Sequence, residues 1–322
     1  MGKKPLTMPS ENICPLCRSN ESKLVNTYSF DDIWAWLAKD HGLNCTEELR
    51  FKLTPSRFTA LLECNVCKLQ YFSPAIEGCQ EFYKKLIGSN HKYYNKKTWD
   101  FEQSLAYIHK GDKILDVGCG SGAFLKYAMQ NGLNALGIDN NYDAVIEAQR
   151  KGLSAEWDEL KSFSKKNKSQ FDVVTIFQTV EHISEIQTFV SGALACLKNG
   201  GRLIISVPRR DRLWRKKREP LDCPPHHMSR WSKQQLTYLG LCCGLRVINI
   251  DTQPISFLDV GMKLCQCLNI YPLSKVLTNG SLSDKDKTGR MIERFVDHRS
   301  ELLTSLGVKY QNILGVFEKS AL

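Results

Sequence analysis

The sequence predicts an α/β fold: a seven-stranded, mostly parallel sheet covered by helices on both faces, preceded by a small cysteine-bearing domain. Three observations predict it. From Lys113 onward short apolar runs alternate with amphipathic runs, the pattern of parallel strands joined by crossover helices. A glycine-rich turn, "GCGSG", follows the first of these strands. Ahead of the sheet stand two C-x-x-C pairs, Cys14/Cys17 and Cys64/Cys67.

The elements follow in chain order. Two C-x-x-C knuckles together present the four thiolates of a tetrahedral zinc ion, a closed structural site with no open position. The usual loop between such pairs is about 15–20 residues, whereas here it runs from Arg18 to Glu63 and holds a helical piece, "FDDIWAWLAKDHG". That piece has an acidic start, apolar Ile33, Trp34 and Leu37, and a stop at Gly42. "CNVCKLQYFSP" reads as the second knuckle running into a strand, and "CQEFYKKLIG" and "TWDFEQSLAYIHKG" as helices. "KILDV", "NALGID", "LSAEW", "FDVVTIF", "RLIISVP", "LRVINI" and "YQNILGVFE" supply the strands. The helices between them include "SEIQTFVSGALACLKNGG" and "SKQQLTYLGLCCG", and the polar run Thr278–Gly289 reads as a loop. The expected domains are 1–75, cysteine-bearing with a helical insertion, and 76–322, with a lid over 208–231 and an insertion over about 255–306.

Composition narrows the setting. Apolar residues make up 42% of the chain, enough for a sizeable core. No run of 18 uncharged apolar residues exists to cross a bilayer, and no apolar stretch follows the early lysines to form an export signal. Thirteen cysteines without such a signal point to reduced thiols in a cytoplasmic setting. The net charge of +10 concentrates in Lys161–Lys168 and Arg209–Arg218. Such runs bind phosphate, nucleic acid or an anionic membrane surface, or are solvated loops. Apart from Trp214 no aromatics interleave with them, which argues against single-stranded nucleic acid.

The glycine turn admits two cofactors. Gly118, Gly120 and Ala123 satisfy the dinucleotide pattern, with Asp139 placed downstream for a ribose, so a nicotinamide-dependent oxidoreductase is one reading. Asp116, two residues before Gly118, weighs the other way. A carboxylate there suits a ligand bearing sulfonium and ammonium groups better than a pyrophosphate.

Asp116 in "LDVGCGSG", then "FQTVEHI" after the fourth strand and "LKNGG" before the fifth, together resemble the class I S-adenosylmethionine-dependent methyltransferases over about Ile114–Leu245. The N-terminal "CPLC … CNVCKLQYFSP … FYKKLIG" and the later "PPHHMSRWS" resemble the zinc-ribbon members associated with sugar and polysaccharide biosynthesis. The resemblance implies a Rossmann-like methyltransferase sheet behind a zinc-ribbon-like domain. It implies that Gly118 and Gly120 cradle the methionine portion, with Asp116 near its ammonium group. Asp139 would hold the ribose with Asn140 beside it, Asp158 would meet the adenine amine, and the Gln178 backbone the methionine amine. The acceptor implied is a sugar, nucleotide sugar or glycan hydroxyl. N- or C-methylation, or a non-catalytic scaffold that binds nucleic acid or membrane through its basic lid, are the alternatives.

Ligands of open α/β sheets lie beyond the carboxyl ends of the strands, where the fourth and fifth strands run into "EHI" and "PPHHMSRW". Histidine takes a proton near neutral pH. In the family resembled, a histidine followed by an aromatic and a serine carries the base, which corresponds to His227, with Trp231 as the aromatic. His226 stands where that pattern has an acid, so the orienting partner of His227 is unassigned. His182, with Glu181, is the competing acceptor-site residue. Adjacent histidines in an extended segment point to opposite sides, so His226 and His227 are not expected to share an ion. Arg209, Arg210 and Arg212 are placed to meet an acceptor's phosphates.

Overall fold

The computed structural model describes residues 12–89, 98–211, 219–254 and 312–320. The insertion over 255–306, the loop Thr278–Gly289 and Arg212–Arg218 of the basic lid lie outside these. In chain order the elements are β1 (Ser22–Ser29), α1 (Phe30–His41), α2 (Glu47–Leu53), β2 (Phe58–Cys64), β3 (Gln70–Ser73), α3 (Gln80–Ser89) and α4 (Trp99–Ser104). Then follow β4 (Lys113–Val117), α5 (Ala123–Gln130), β5 (Asn134–Asp139), α6 (Tyr142–Arg150), β6 (Ala155–Trp157), α7 (Leu160–Lys166) and β7 (Phe171–Phe177). The last are α8 (Ile186–Cys196), β8 (Leu197–Pro208), β9 (Ser229–Arg230), α9 (Lys233–Cys242), β10 (Leu245–Thr252) and β11 (Asn312–Lys319).

The larger sheet has seven strands in the order β10-β11-β8-β7-β4-β5-β6. Its strands are parallel except β11, which runs antiparallel to both β8 and β10. Central strands β4, β7 and β8 read as nearly continuous apolar runs because helices cover both faces, and Ile114, Val173, Val174 and Ile204 are fully buried. Strand order reverses between β4 and β7, which opens a crevice at their carboxyl ends. One boundary differs from the sequence reading. "LKNGG" belongs to β8 rather than to the preceding helix: Leu197 pairs with Phe171 and Arg202 with Val173, and Gly200 (φ 73°) sits in the bulge between.

The second sheet has the order β1-β2-β3-β9, all antiparallel. Its last strand comes from the segment just after the two histidines. Helix α1 begins with Asp31 and Asp32 and ends at Gly42 (φ 66°), whose N–H reaches Ala38 O. Ile33, Trp34 and Leu37 on one face bury against Phe72, Phe82 and Leu86, so α3 packs with the N-terminal sheet. Trp231, fully buried, belongs to the core that joins the knuckles to the large sheet. Gln235 ties them further: its Oε1 accepts the Ser232 N–H at the start of α9 (3.1 Å), and its Nε2 donates to Cys67 O (2.9 Å). Among the described residues no helix is long and apolar enough to cross a membrane.

Candidate active site and cysteine cluster

The glycine turn occupies the crevice. Gly118, Gly120 and Gly122 all have positive φ (79°, 51° and 83°), which L-residues with a Cβ rarely adopt. Gly118 is also constrained by contact: a Cβ there would fall 2.4 Å from Thr179 Oγ1. Asp139, at the tip of β5, accepts the Gly120 N–H on Oδ2 and the Asn141 N–H on Oδ1, both at 2.8 Å. Burial raises its carboxyl, and those two bonds oppose the rise. Asp116 is 3% exposed, accepts the Thr175 hydroxyl at 2.8 Å, and is pushed up to about 7 by burial.

Gln178, with φ 48°, turns the chain off β7; its N–H donates to Ser206 O (3.0 Å) and its Nε2 reaches Asp100 Oδ2 (3.3 Å) and Ser206 Oγ (3.1 Å). Asp100 escaped the sequence reading. It is fully buried, and its Oδ1 has no hydrogen-bond partner among the described residues. Asn140 is exposed, and its carbonyl accepts from Gln80 Nε2 (2.8 Å) and Trp157 Nε1 (3.1 Å). Trp157 is not core: it is 59% exposed and meets Tyr142 edge-on. Asp158 Oδ1 accepts the Glu159 N–H (2.8 Å) and the Ser162 hydroxyl, so that oxygen is engaged just before α7.

The crevice thus joins a close backbone approach, an acid at a strand tip, and two buried carboxylates with no cationic side chain in hydrogen-bond range among the described residues. That donor set fits S-adenosylmethionine, which brings positive charge. A pyrophosphate would meet buried acids instead.

Beyond β7 lie the histidines. The segment after Cys223 is a tight turn: the N–H groups of both His226 and His227 donate to Cys223 O, at 3.0 and 3.1 Å. The expectation of opposed side chains is therefore wrong, since it assumed extended backbone. The two rings stack at 4.4 Å, and His182 packs edge-on to each at 4.6 and 4.8 Å. His182 Nδ1 lies 2.6 Å from His226 O, and His226 Nδ1 lies 2.8 Å from Leu221 O. Asp222 Oδ1 lies 3.4 Å from His227 Nδ1, an acidic neighbour for the histidine whose partner the sequence left unassigned. It stands five positions upstream, where only the turn brings it back. Burial, with His227 as a neighbouring positive charge when protonated, pushes His182 down to about 3 and His226 well below its ordinary value. Glu181, 1% exposed, is pushed up to about 8 by burial.

Two elements hold this cluster beside the crevice. Met228 N–H donates to Glu181 O (2.7 Å), and Phe72 N–H on β3 donates to Met228 O (3.0 Å). A small cavity of about 10 Å³ here is lined by Glu181, Pro208, Arg210, Asp222, His227, Ser229 and Arg230. The arginines are engaged within the protein. Arg209 forks onto Asp211 (2.5 and 2.8 Å), and Arg210 donates to Lys68 O (2.8 Å) near Glu63 (3.6 Å). Arg230 donates to Asp222 O (3.0 Å) and lies over Phe72.

The four cysteines converge as their spacing predicts. Cys14 Sγ lies 3.5 Å from Cys67 Sγ and Cys17 Sγ 3.4 Å from Cys64 Sγ, and all four sulfurs lie within 4.8 Å of one another. Both knuckles share one geometry. Arg18 N–H returns to Cys14 O and Lys68 N–H to Cys64 O, with positive φ at Arg18 (63°) and Lys68 (62°). Tetrahedral zinc at about 2.3 Å from each sulfur needs sulfurs roughly 3.8 Å apart. The cluster fits such an ion.

A seven-stranded sheet with β11 reversed, and a glycine turn and acid-tipped strand at its switch point, defines the chain as of the S-adenosylmethionine-dependent methyltransferase class. The family model described as "Methyltransferase domain" matches residues 90–250, half of the chain, and the chain belongs to that family. The nicotinamide reading of the same glycines falls with that match. The chain is 29% identical over 138 residues to a ubiquinone biosynthesis O-methyltransferase of Salmonella newport (strain SL254), covering 36% of this chain. The chain spans 57% of the length of that relative. Among solved structures it is similar to an S-adenosylmethionine-dependent methyltransferase from Archaeoglobus fulgidus: 19% identity, TM-score 0.46, 75% of this chain and 95% of that one. It is also similar to Haemonchus contortus phosphoethanolamine N-methyltransferase 2 (16%, TM-score 0.47, 70% and 54%).

Proposed function

We propose that this protein transfers the methyl group of S-adenosylmethionine to a hydroxyl of a polyhydroxylated polar acceptor, of the sugar, nucleotide-sugar or glycan class. One observation carries the reading. The segment that packs Thr179 onto Gly118 continues within three residues to His182, which packs edge-on against His226 and His227. Cofactor turn and histidine cluster are thereby two ends of one short connection.

The bound cofactor supplies a methyl carbon activated by positive sulfur. The protein's residues do the rest. Gly118 and Gly120 admit the methionine portion, Asp116 and the Gln178 backbone face its ammonium group, Asp139 and Asn140 take the ribose, and Asp158 flanks the adenine. His227, oriented through Nδ1 by Asp222, accepts the acceptor's proton on Nε2. His182 and His226 wall the pocket. Alignment of the acceptor with the methyl carbon, with water excluded, lowers the barrier. Cys14, Cys17, Cys64 and Cys67 hold a structural zinc ion that stiffens the N-terminal sheet, and residues 1–75 and 76–322 act as ribbon and catalytic domains.

The test is a calorimetric titration with S-adenosylhomocysteine, followed by methyl transfer to a panel of sugars and nucleotide sugars. Asp139→Ala is expected to lose binding. His227→Ala is expected to keep it while its turnover falls about 10²–10⁴-fold. Unchanged turnover in His227→Ala removes the histidine base from the reading.

A further inference from the structure

The histidine cluster has a second property that the methyl-transfer reading does not use. One ring nitrogen from each of His182, His226 and His227 lies within 4.8 Å of the others, with His226 and His227 buried and His182 partly so. Each Nδ1 faces a protein oxygen: His226 O for His182, Leu221 O for His226, and Asp222 Oδ1 for His227. A carbonyl or carboxylate at Nδ1 favours the proton there and the lone pair on Nε2 for His226 and His227, while His182 also meets the Gln178 carbonyl and the Tyr83 hydroxyl. That is the arrangement by which proteins orient imidazoles for a metal ion. Beside them Glu181 is 1% exposed, and its buried Oε2 has no hydrogen-bond partner among the described residues. Its Oε1 lies 4.0 Å from His182 Nε2, so a carboxyl oxygen stands beside that ring.

From this we infer that His182, His226 and His227 form a second metal site, distinct from the four cysteines, for a divalent ion of the zinc class. Imidazole nitrogens suit zinc, iron, nickel and copper, and exclude magnesium and calcium as natural occupants. Three histidines leave a coordination position open, unlike the closed four-thiolate site. The ion's binding stands on this geometry alone. Its consequence rests on the acceptor reading: an ion on His227 Nε2 and a proton on the same atom exclude each other, so a metal-loaded cluster cannot use His227 as the base.

Metal content tests the site without reference to activity. The purified full-length chain is stripped with a chelator, re-equilibrated with zinc, desalted and measured by mass spectrometry of the metal. Two equivalents are expected in the unaltered chain, and one in His226→Gln and in His182→Gln, with circular dichroism verifying that both variants are folded. A second measurement needs no variant. Cobalt(II) added beyond the first equivalent should give visible ligand-field bands without further sulfur-to-metal charge-transfer absorption. A single zinc equivalent in the unaltered chain that folded His226→Gln and His182→Gln both retain overturns the inference. So does a zinc content unchanged in folded His226→Gln and His182→Gln, or a second cobalt equivalent whose spectrum is that of thiolate ligation.

Discussion

Gly118 shows how tightly single residues are held in this crevice. Its φ of 79° costs an L-residue roughly 1–2 kcal/mol, and any Cβ meets the Thr179 side chain at 2.4 Å. Gly118→Ala is therefore expected to lower the unfolding free energy by about 1–3 kcal/mol and to weaken S-adenosylhomocysteine binding. Adding Thr179→Ala should restore only part of the loss, because it relieves the contact and not the dihedral; denaturant unfolding and calorimetry measure both. On the proposed mechanism Asp222 acts through its neighbour His227. Asp222→Asn removes the carboxylate that selects the His227 tautomer, and turnover is expected to fall about 10–100-fold with cofactor affinity unchanged. Equal turnover in the variant and the parent would separate Asp222 from the base.

At the scale of elements, the two-residue strand β9 matters more than its length implies. It pairs Ser229 and Arg230 with Tyr71 and Gln70 on β3, and β3 follows directly from the second cysteine knuckle. The histidine turn is thus suspended between Glu181, at the end of the large sheet, and the edge of the small one. Removal of the proposed zinc ion from the cysteine cluster should loosen β3 and β9 together. Methyl transfer is expected to drop on chelation while S-adenosylhomocysteine binding at β4 and β5 persists, since the glycine turn is held directly by Asp139 and Thr179. Simultaneous loss of both would place the cysteine cluster under the entire fold instead.

Across the whole molecule, the burial of Asp116 links stability to pH. Its folded value of about 7 lies above the ordinary 3.8, so between these limits the folded protein keeps a proton that the unfolded chain has released. Stability from this group is complete below about pH 4 and is lost as pH rises through 7. The cofactor-free protein should therefore lose stability between pH 5 and 7, and Asp116→Asn should reduce that slope by up to about 1.4 kcal/mol per pH unit. Unfolding midpoints at pH 5, 6, 7 and 8 for both proteins measure the difference. Parallel curves would mean that Asp116 ionises in the folded state as readily as in the unfolded one.

Periodicity and turn chemistry by themselves determined the seven strands, the glycine turn, the acid at the tip of β5 and the convergence of the four cysteines. Each depends on residues close in sequence, or on a spacing that only one local geometry satisfies. Tertiary structure alone decided what surrounds the reacting groups. Asp100 reaches Gln178 from a helix 78 residues away, and a buried carboxylate leaves no mark in a local pattern. Asp222 meets His227 because the chain turns back on Cys223 instead of running extended, which also brought His226 and His227 to one side. The strand β9, two residues long, carries no periodicity and exists because β3 offers it an edge. Local rules placed the backbone of the cofactor crevice, whereas packing between distant segments assembled the acceptor side.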